Sequence, residues 1–467
     1  MRVLLISTYE LGHQPLQLAS PTAALEAAGH QVRTIDLSLE QLDPARIEWA
    51  EALGVSVPMH TAMRLAIGAA EQIRELRPQL PICFYGLYAA VTDDLVSSGV
   101  VDRLIAGEYE PELLEWVGSL SDASTRQPAT SSIDLGRHGF HTPNRENLEP
   151  LGRYARLERD GKEHLAGYVE ASHGCVHKCR HCPVPVVYDG RIRIVERSVV
   201  LADIAQLVAA GAKHITFGDP DFLNGVKHSL QVARELHQDF PEVTFDITTK
   251  VEHILEHREI WSELSECGCL FAVSAFESLN PEILAYLDKG HTADEAAQAV
   301  AVLRERGIEI RPSWLPFTPW ATPQDILEIF DFVVANEMVG NVDPVQYTIR
   351  LLVPKGSLLL DHPEIAPYLG NYDSDRLTYE WQAGDPELDL LHGEFAAIVE
   401  ADVAADVDSV STFGTLYRAA AEAAGQSKDL PDLGDVEPRP RLTEAWFCCA
   451  EPTDIQLASV AGSEPTI

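Results

Sequence analysis

At 467 residues with 46% hydrophobic side chains, the chain is long enough to build two or three hydrophobic cores. Lys and Arg number 35 against 72 Asp and Glu, a formal charge of -37, and so acidic a surface repels a phosphate backbone, which argues against nucleic acid as a partner. Eight cysteines are too sparse for a secreted disulfide scaffold, and no apolar run approaches the roughly 18 residues of a membrane span, so a soluble cytoplasmic protein without membrane attachment is expected.

The N-terminus, MRVLLISTYELG, has only a short apolar run, Val3 to Ile6, before polar residues and glycine, which suits a buried strand and not a signal peptide. VLLIST, PTAALEAAGH and QVRTIDL then read as strand, glycine-closed helix and strand. The rhythm continues through LGVSVP, MRLAIGAAEQIRELRP, PICFYG and RLIAG. Strands spaced by helical patterns predict a doubly wound parallel sheet over residues 1–118. Residues 119–150 lose the periodicity and gain Ser, Thr, Pro and Asn, as a linker or strap does. From about 165 the alternation returns for about six βα units, which predicts a full or partial (βα)6 barrel over 151–365, with chemistry at the C-terminal ends of its strands. Residues 366–467 read as a mostly helical, acidic region with a Pro-rich, extended end.

Within HGCVHKCRHCP, directly after a predicted strand, Cys175, Cys179 and Cys182 have the spacing C-x3-C-x2-C. Three thiolates on one tight loop can hold three irons of a [4Fe-4S] cube and leave the fourth iron open to a ligand. Zinc is the alternative, with a fourth ligand from His173, His177 or His181. Cys83, Cys267 and Cys269 lie in apolar surroundings and read as packing residues.

Residues 165–360 resemble the radical S-adenosylmethionine superfamily, and residues 1–118 resemble the cobalamin-binding domain that precedes the barrel in one branch of it. The resemblance implies a [4Fe-4S] cluster on Cys175, Cys179 and Cys182, an open iron that chelates S-adenosylmethionine, and reductive cleavage to a radical that abstracts hydrogen from a small-molecule substrate. An electron donor such as flavodoxin or ferredoxin is implied with it. His181 matches the position that lies against the adenine. HITFGDPDF matches the strand end that binds the methionine amino group, which gives Phe217, Gly218 and Asp219 that role. SAFESLNPEILAYLDKG resembles the family's "G-x-E-S…K-G" segment and places Ser274, Glu277 and Ser278 near ribose and carboxylate. In IRPSWLPFTPW, Arg311 and Ser313 would face the barrel interior. His173 stands where the family often has arginine.

The D-x-H-x-x-G motif of histidine-ligated cobalamin domains is absent from TYELGHQPLQ, where His13 is the only histidine. CFYGLYAA and IAGEYEPELLEWV keep other parts of the domain's pattern, so the fold is expected and cobalamin binding stays open. The ending WFCCAEP resembles the tail of a group of radical S-adenosylmethionine proteins defined by Cys-Cys-Ala-Glu-Pro, some of them with selenocysteine at the second position. By that resemblance Cys449 is the candidate reactive centre and Cys448 its helper, expected to fold back over the barrel mouth. Methyl or sulfur/selenium transfer would then accompany hydrogen abstraction. The competing readings are methylthiolation of RNA or protein, and a non-catalytic zinc or redox module.

Overall fold

A computed structural model describes residues 1–91, 94–121, 130–428 and 430–444. Six strands, β1 (Arg2–Ser7), β2 (Gln31–Asp36), β3 (Ala52–Ser56), β4 (Ile82–Tyr85), β5 (Arg103–Gly107) and β6 (Thr130–Asp134), form one parallel sheet in the order β2-β1-β3-β4-β5-β6. Successive side chains of a strand point to opposite faces, and both faces here are covered. Leu4, Ile6, Leu53, Val55 and Phe84 pack on Ala66, Ala70 and Ile73 of the helix His60–Leu76. Val3, Leu5, Tyr85 and Ile105 pack on Leu18, Leu25, Leu113 and Trp116 of the helices Leu16–Ala27 and Glu110–Ser119. Each such buried side chain contributes roughly 1.5–3 kcal/mol. The strand order reverses between β1 and β3, and in this architecture ligands bind in the crevice at the C-terminal ends of those strands.

The segment read as a strap contains β6. Its sequence, TSSID, alternates between exposed and half-buried positions at the sheet edge, so it carries no continuous apolar run. Further along the same segment, Arg145 pairs with Asp203 of the helix Arg197–Ala209 at 2.6 Å and donates to Gln14 and to the Tyr168 carbonyl. One buried guanidinium thus ties the strap, the first sheet and the second domain together.

The second domain opens with a hairpin, β7 (Arg156–Arg159) and β8 (Lys162–Val169), whose turn residues Asp160 and Gly161 both have positive φ, the signature of an Asp-Gly turn. After β8 come β9 (Ser172–Gly174) and β10 (Ile192–Ile194), an antiparallel pair. The strands β8, β11 (His214–Phe217), β12 (Thr244–Thr248), β13 (Cys269–Glu277) and β14 (Glu309–Trp314) run parallel in that order, each separated by helices. The sixth unit contributes one parallel bridge, Phe317 to Arg350, because residues Pro344–Thr348 coil into a 3₁₀ turn. The barrel is therefore partial and open.

Beyond it, β15 (Leu369–Asp373) and β16 (Thr378–Trp381) make a hairpin in the stretch read as mostly helical. The helices Pro386–Ala404 and Ser409–Ala423 follow, and Phe395, Phe413 and Tyr417 stack around Phe330 and Tyr347 in the barrel's own core. The extended end returns to the barrel as β17 (Arg441–Leu442), antiparallel to β7. Among the described residues, no helix is long and apolar enough to cross a membrane. Cys448 and Cys449 lie outside the described residues.

Candidate active site between the sheet and the barrel

The C-terminal ends of both parallel sheets face a single cavity of about 370 Å³. On the barrel side the polypeptide leaves β9 through Gly174, whose φ of +76° and whose contacts leave no room for a Cβ, with the Arg191 carbonyl 2.3 Å from where it would lie. The loop that follows carries Cys175 and Cys179, both buried, and half-buried Cys182, and all three line the cavity. Arg180 pins its outer side by donating to the carbonyls of Ala285 and Tyr286, and its own N–H donates to Leu287.

The neighbouring histidines bear on zinc against iron–sulfur. His173 is held between Glu108 at 3.0 Å and Glu170 at 3.3 Å, and His177 turns its Nε2 to His253 at 3.3 Å. Both are engaged away from the thiols. His181 places Nε2 3.0 Å from Glu277 and keeps a buried Nδ1 with no hydrogen-bond partner. Three cysteines with no histidine fourth ligand among the described residues, beside an orphaned polar atom, suit a cluster with an open iron and a small polar ligand next to it.

Glu277 sits at the end of β13, where the ladder with β14 is bulged, and has a φ of +63°, a region that non-glycine residues seldom enter. Lys289 approaches the same carboxylate at 3.2 Å, completing a buried triad with His181. Burial alone would raise the Glu277 carboxyl, but Lys289 and His181 hold it down at about 2. The Lys289 ammonium is opposed by burial and nevertheless raised by Glu277 and the Cys179 thiol. Lys289, which the sequence suggests as a structural residue at the K-G end of SAFESLNPEILAYLDKG, is thus a charged wall of the cavity.

At the end of β11, Asp219 accepts from the Ala171 N–H at 2.9 Å and the Ser172 hydroxyl at 2.5 Å. Burial pushes its carboxyl up to about 7, against those hydrogen bonds. A Cβ on Gly218 would fall 1.9 Å from the Tyr168 hydroxyl, so only glycine lets that ring lie across the strand end. Phe217 lines the cavity and packs against Phe222 at 4.7 Å with the rings tilted. Arg311 and Ser313 also line it, with Arg311 bound to Asp343 at 2.6 Å.

One residue expected near the cofactor, Ser274, does not line the cavity. Val273, Ala275 and Glu277 line the cavity, so Ser274 between them points to the opposite face of β13, where its hydroxyl is buried without a partner. Ser278 is buried and accepts from the Asn280 N–H, as part of the turn leading into the helix Pro281–Leu287.

The other wall belongs to the first sheet: Leu11, His13 and Gln17 after β1, Met59 after β3, Gly86 after β4 and Tyr109 after β5. His13 stacks on Tyr168 at 4.7 Å, and burial lowers it to about 4, so it is a neutral ring. Nearby, buried Glu10 accepts from the Gln17 N–H and the Ser56 hydroxyl, and burial, reinforced by Asp36 and Glu170, raises its carboxyl to about 8. His173 is opposed by burial yet raised well above its ordinary value by Glu108 and Glu170. It therefore adds a second positive charge, beside that of Arg145, between the two sheets. Glu108 and Glu170 were not singled out from the sequence; Glu108 opens the EYE of IAGEYE, the one signal that could have found it.

The C-terminal strand completes the rim. Leu442 and Glu444 line the cavity, and the Tyr9 hydroxyl donates to Glu444 at 2.7 Å. Gly12 is needed there, since the Glu444 Cγ lies 2.8 Å from where its Cβ would be. Cys83, Cys267 and Cys269 are buried packing residues, and burial pushes the Cys83 and Cys269 thiols up, as expected of inert core cysteines.

A thiol loop thus sits at the mouth of a partial parallel barrel and shares one cavity with the strand ends of a doubly wound sheet. A model of the Radical SAM superfamily matches residues 169–333 of the chain. It is 24% identical to an uncharacterized methyltransferase of Pyrococcus horikoshii over 358 residues, covering 73% of this chain and 76% of that protein. Two solved structures share the fold. One is the radical S-adenosylmethionine methyltransferase TsrM from Kitasatospora setae with tryptophan substrate and a SAM analogue bound, TM-score 0.62 at 19% identity over 80% of each chain. The other is the cobalamin-dependent S-adenosylmethionine radical enzyme OxsB with aqua-cobalamin and S-adenosylmethionine bound, TM-score 0.66 at 13% identity, covering 86% of this chain and 67% of that chain.

Proposed function

We propose that this enzyme holds a [4Fe-4S] cluster on Cys175, Cys179 and Cys182, S-adenosylmethionine against the barrel strand ends, and a cobalamin under the edge of the first sheet. It would use them to methylate a small molecule bound in the shared cavity. One observation carries this reading: the three thiols and the loops after β1, β3, β4 and β5 line the same cavity. When bound, the cluster and S-adenosylmethionine supply a reductively generated radical, and the corrinoid supplies a methyl group. The residues do the rest. Asp219 and Glu277 offer acceptors to an ammonium, Lys289 and Arg311 offer charge to a carboxylate, and Phe217 and Tyr168 exclude water. His13, neutral and stacked, is a covering ring, in keeping with the absent D-x-H-x-x-G motif.

The tail belongs to the same proposal. With Glu444 already in the cavity, Cys449 is five residues on, a reach of at most about 17 Å along extended chain. We assign Cys449 to meet the substrate or cofactor there, with Cys448 beside it. A Cys449→Ala enzyme is expected to keep S-adenosylmethionine cleavage and lose product formation by at least about tenfold; unchanged turnover would remove the tail from the mechanism.

The cobalamin part is tested by co-elution. Anaerobically loaded protein is expected to retain about one hydroxocobalamin per chain through gel filtration, and Gly86→Phe, which fills the cavity wall, is expected to release it. Equal retention by both proteins, or by neither, would put the corrinoid elsewhere or nowhere.

A further inference from the structure

His177, Asp221 and His253 come from three consecutive strand ends: the cysteine loop after β8, the turn after β11 and the helix Val251–Glu256 after β12. Their ligating atoms lie within 4.8 Å of one another. Asp221 is fully buried with no Lys or Arg side chain paired to it among the described residues. Its Oδ1 accepts from the Leu223 N–H and the Thr249 hydroxyl, and its Oδ2 from the Lys250 N–H. An ionised carboxylate has about four acceptor directions, so one on Oδ2 remains. That oxygen lies 2.8 Å from His253 Nδ1 and 3.9 Å from His177 Nε2.

His253 is 8% exposed, and its Nδ1 makes no formed hydrogen bond in spite of that approach. Its Nε2 meets the Nε2 of His177 at 3.3 Å. Without a metal, that contact needs one ring to donate to the other. A cation between them satisfies both, and two nitrogens on a tetrahedral ion at roughly 2.0–2.1 Å are about 3.3 Å apart. The other ring nitrogen of His177 points to the Glu252 carboxylate at 3.7 Å, the outer partner that a metal-bound histidine ordinarily has.

We propose that His177, Asp221 and His253 bind a divalent first-row transition ion such as zinc, at a site separate from the three cysteines. Two imidazoles and one carboxylate suit that class of ion and leave positions for water. A metal here would fasten the cysteine loop from behind to the ends of β11 and β12. The ordinary alternative is a metal-free hydrogen-bonded tether of the same three side chains.

The test removes the cluster altogether. The Cys175→Ala, Cys179→Ala, Cys182→Ala triple variant of the full chain is stripped with chelator, incubated with Zn²⁺, desalted and analysed by elemental mass spectrometry. About one tightly held zinc per chain is expected, with affinity falling on the order of 100-fold when His253→Ala or Asp221→Asn is added. No retained zinc in a triple variant whose circular dichroism and melting match the parent would overturn the site. Zinc that survives both added substitutions would overturn the assignment of ligands. If the triple variant does not fold, the same two substitutions are made in the parent loaded with iron and sulfide, where loss of one zinc at constant iron is expected and unchanged zinc contradicts the site. Neither readout depends on S-adenosylmethionine chemistry, so failure here leaves the proposed function standing, and the reverse.

Discussion

Glu277 combines a left-handed backbone with burial, and its two basic partners offset the cost of both. Removing one member of a buried charged set leaves the others uncompensated, at roughly 3–5 kcal/mol. Lys289→Met is therefore expected to lower the free energy of unfolding by about that much in urea melts, and Glu277→Gln by less, because Gln keeps hydrogen-bonding capacity without charge. Glu10 gives a pH dependence of opposite character. Its folded value of about 8 lies above the ordinary 4.5, so the folded state binds the proton more tightly than the unfolded chain. Its contribution is complete below about 4.5 and drains away as pH rises through about 8, a loss on the order of a few kcal/mol. Between pH about 5 and about 9, Glu10→Gln is expected to lose less stability than the parent, as read by denaturant midpoints; parallel curves would mean that Glu10 is ionised in the folded protein.

Strand ends rather than strands decide what this fold can hold. The Gly218 and Tyr168 contact is the clearest instance: Gly218→Ala forces the ring aside, at about 1–3 kcal/mol for overpacking, and Tyr168→Leu is expected to recover most of that cost in the double variant. A double variant no more stable than the single one would show that the glycine serves its backbone instead. At this scale the sequence was informative where a local pattern is its own cause. The cysteine spacing, the Gly-Asp end of β11 and the apolar strands of the first sheet are legible because each depends on neighbours in the chain. Ser274 lies off the cavity because a motif gives a position and not the phase of the pleat, which here turns Val273, Ala275 and Glu277 inward and Ser274 away. β6 was missed because an edge strand with a Thr-Ser-Ser start has no hydrophobic alternation to read. The β15–β16 hairpin is likewise held by tertiary contacts, with Trp381 donating to the Leu351 carbonyl and stacking under Arg350.

For the whole molecule, the relation between the two domains was the least legible feature, since no periodicity encodes it. His173 with Glu108, Arg145 with Asp203, and Glu444 with Tyr9 are pairs separated by 58 to 435 residues. Arg145 and Asp203 are nearly inaccessible, with side chains 7% and 4% exposed, so Arg145→Ala leaves a buried carboxylate alone across the junction. It is expected to cost about 3–5 kcal/mol and to split a single calorimetric transition into two, the first sheet melting apart from the barrel. One unchanged transition would mean that the junction is held elsewhere.

The central claim is that the Cys175, Cys179 and Cys182 loop makes this cavity a radical S-adenosylmethionine centre. The most direct measurement is mass-spectrometric detection of 5'-deoxyadenosine from anaerobically reconstituted full-length protein given reductant and S-adenosylmethionine, with iron counted in the same sample. About four irons per chain and 5'-deoxyadenosine that disappears in Cys175→Ala are expected. A colourless protein with one zinc on the cysteines, or a fully iron-loaded protein that leaves S-adenosylmethionine intact, would contradict it.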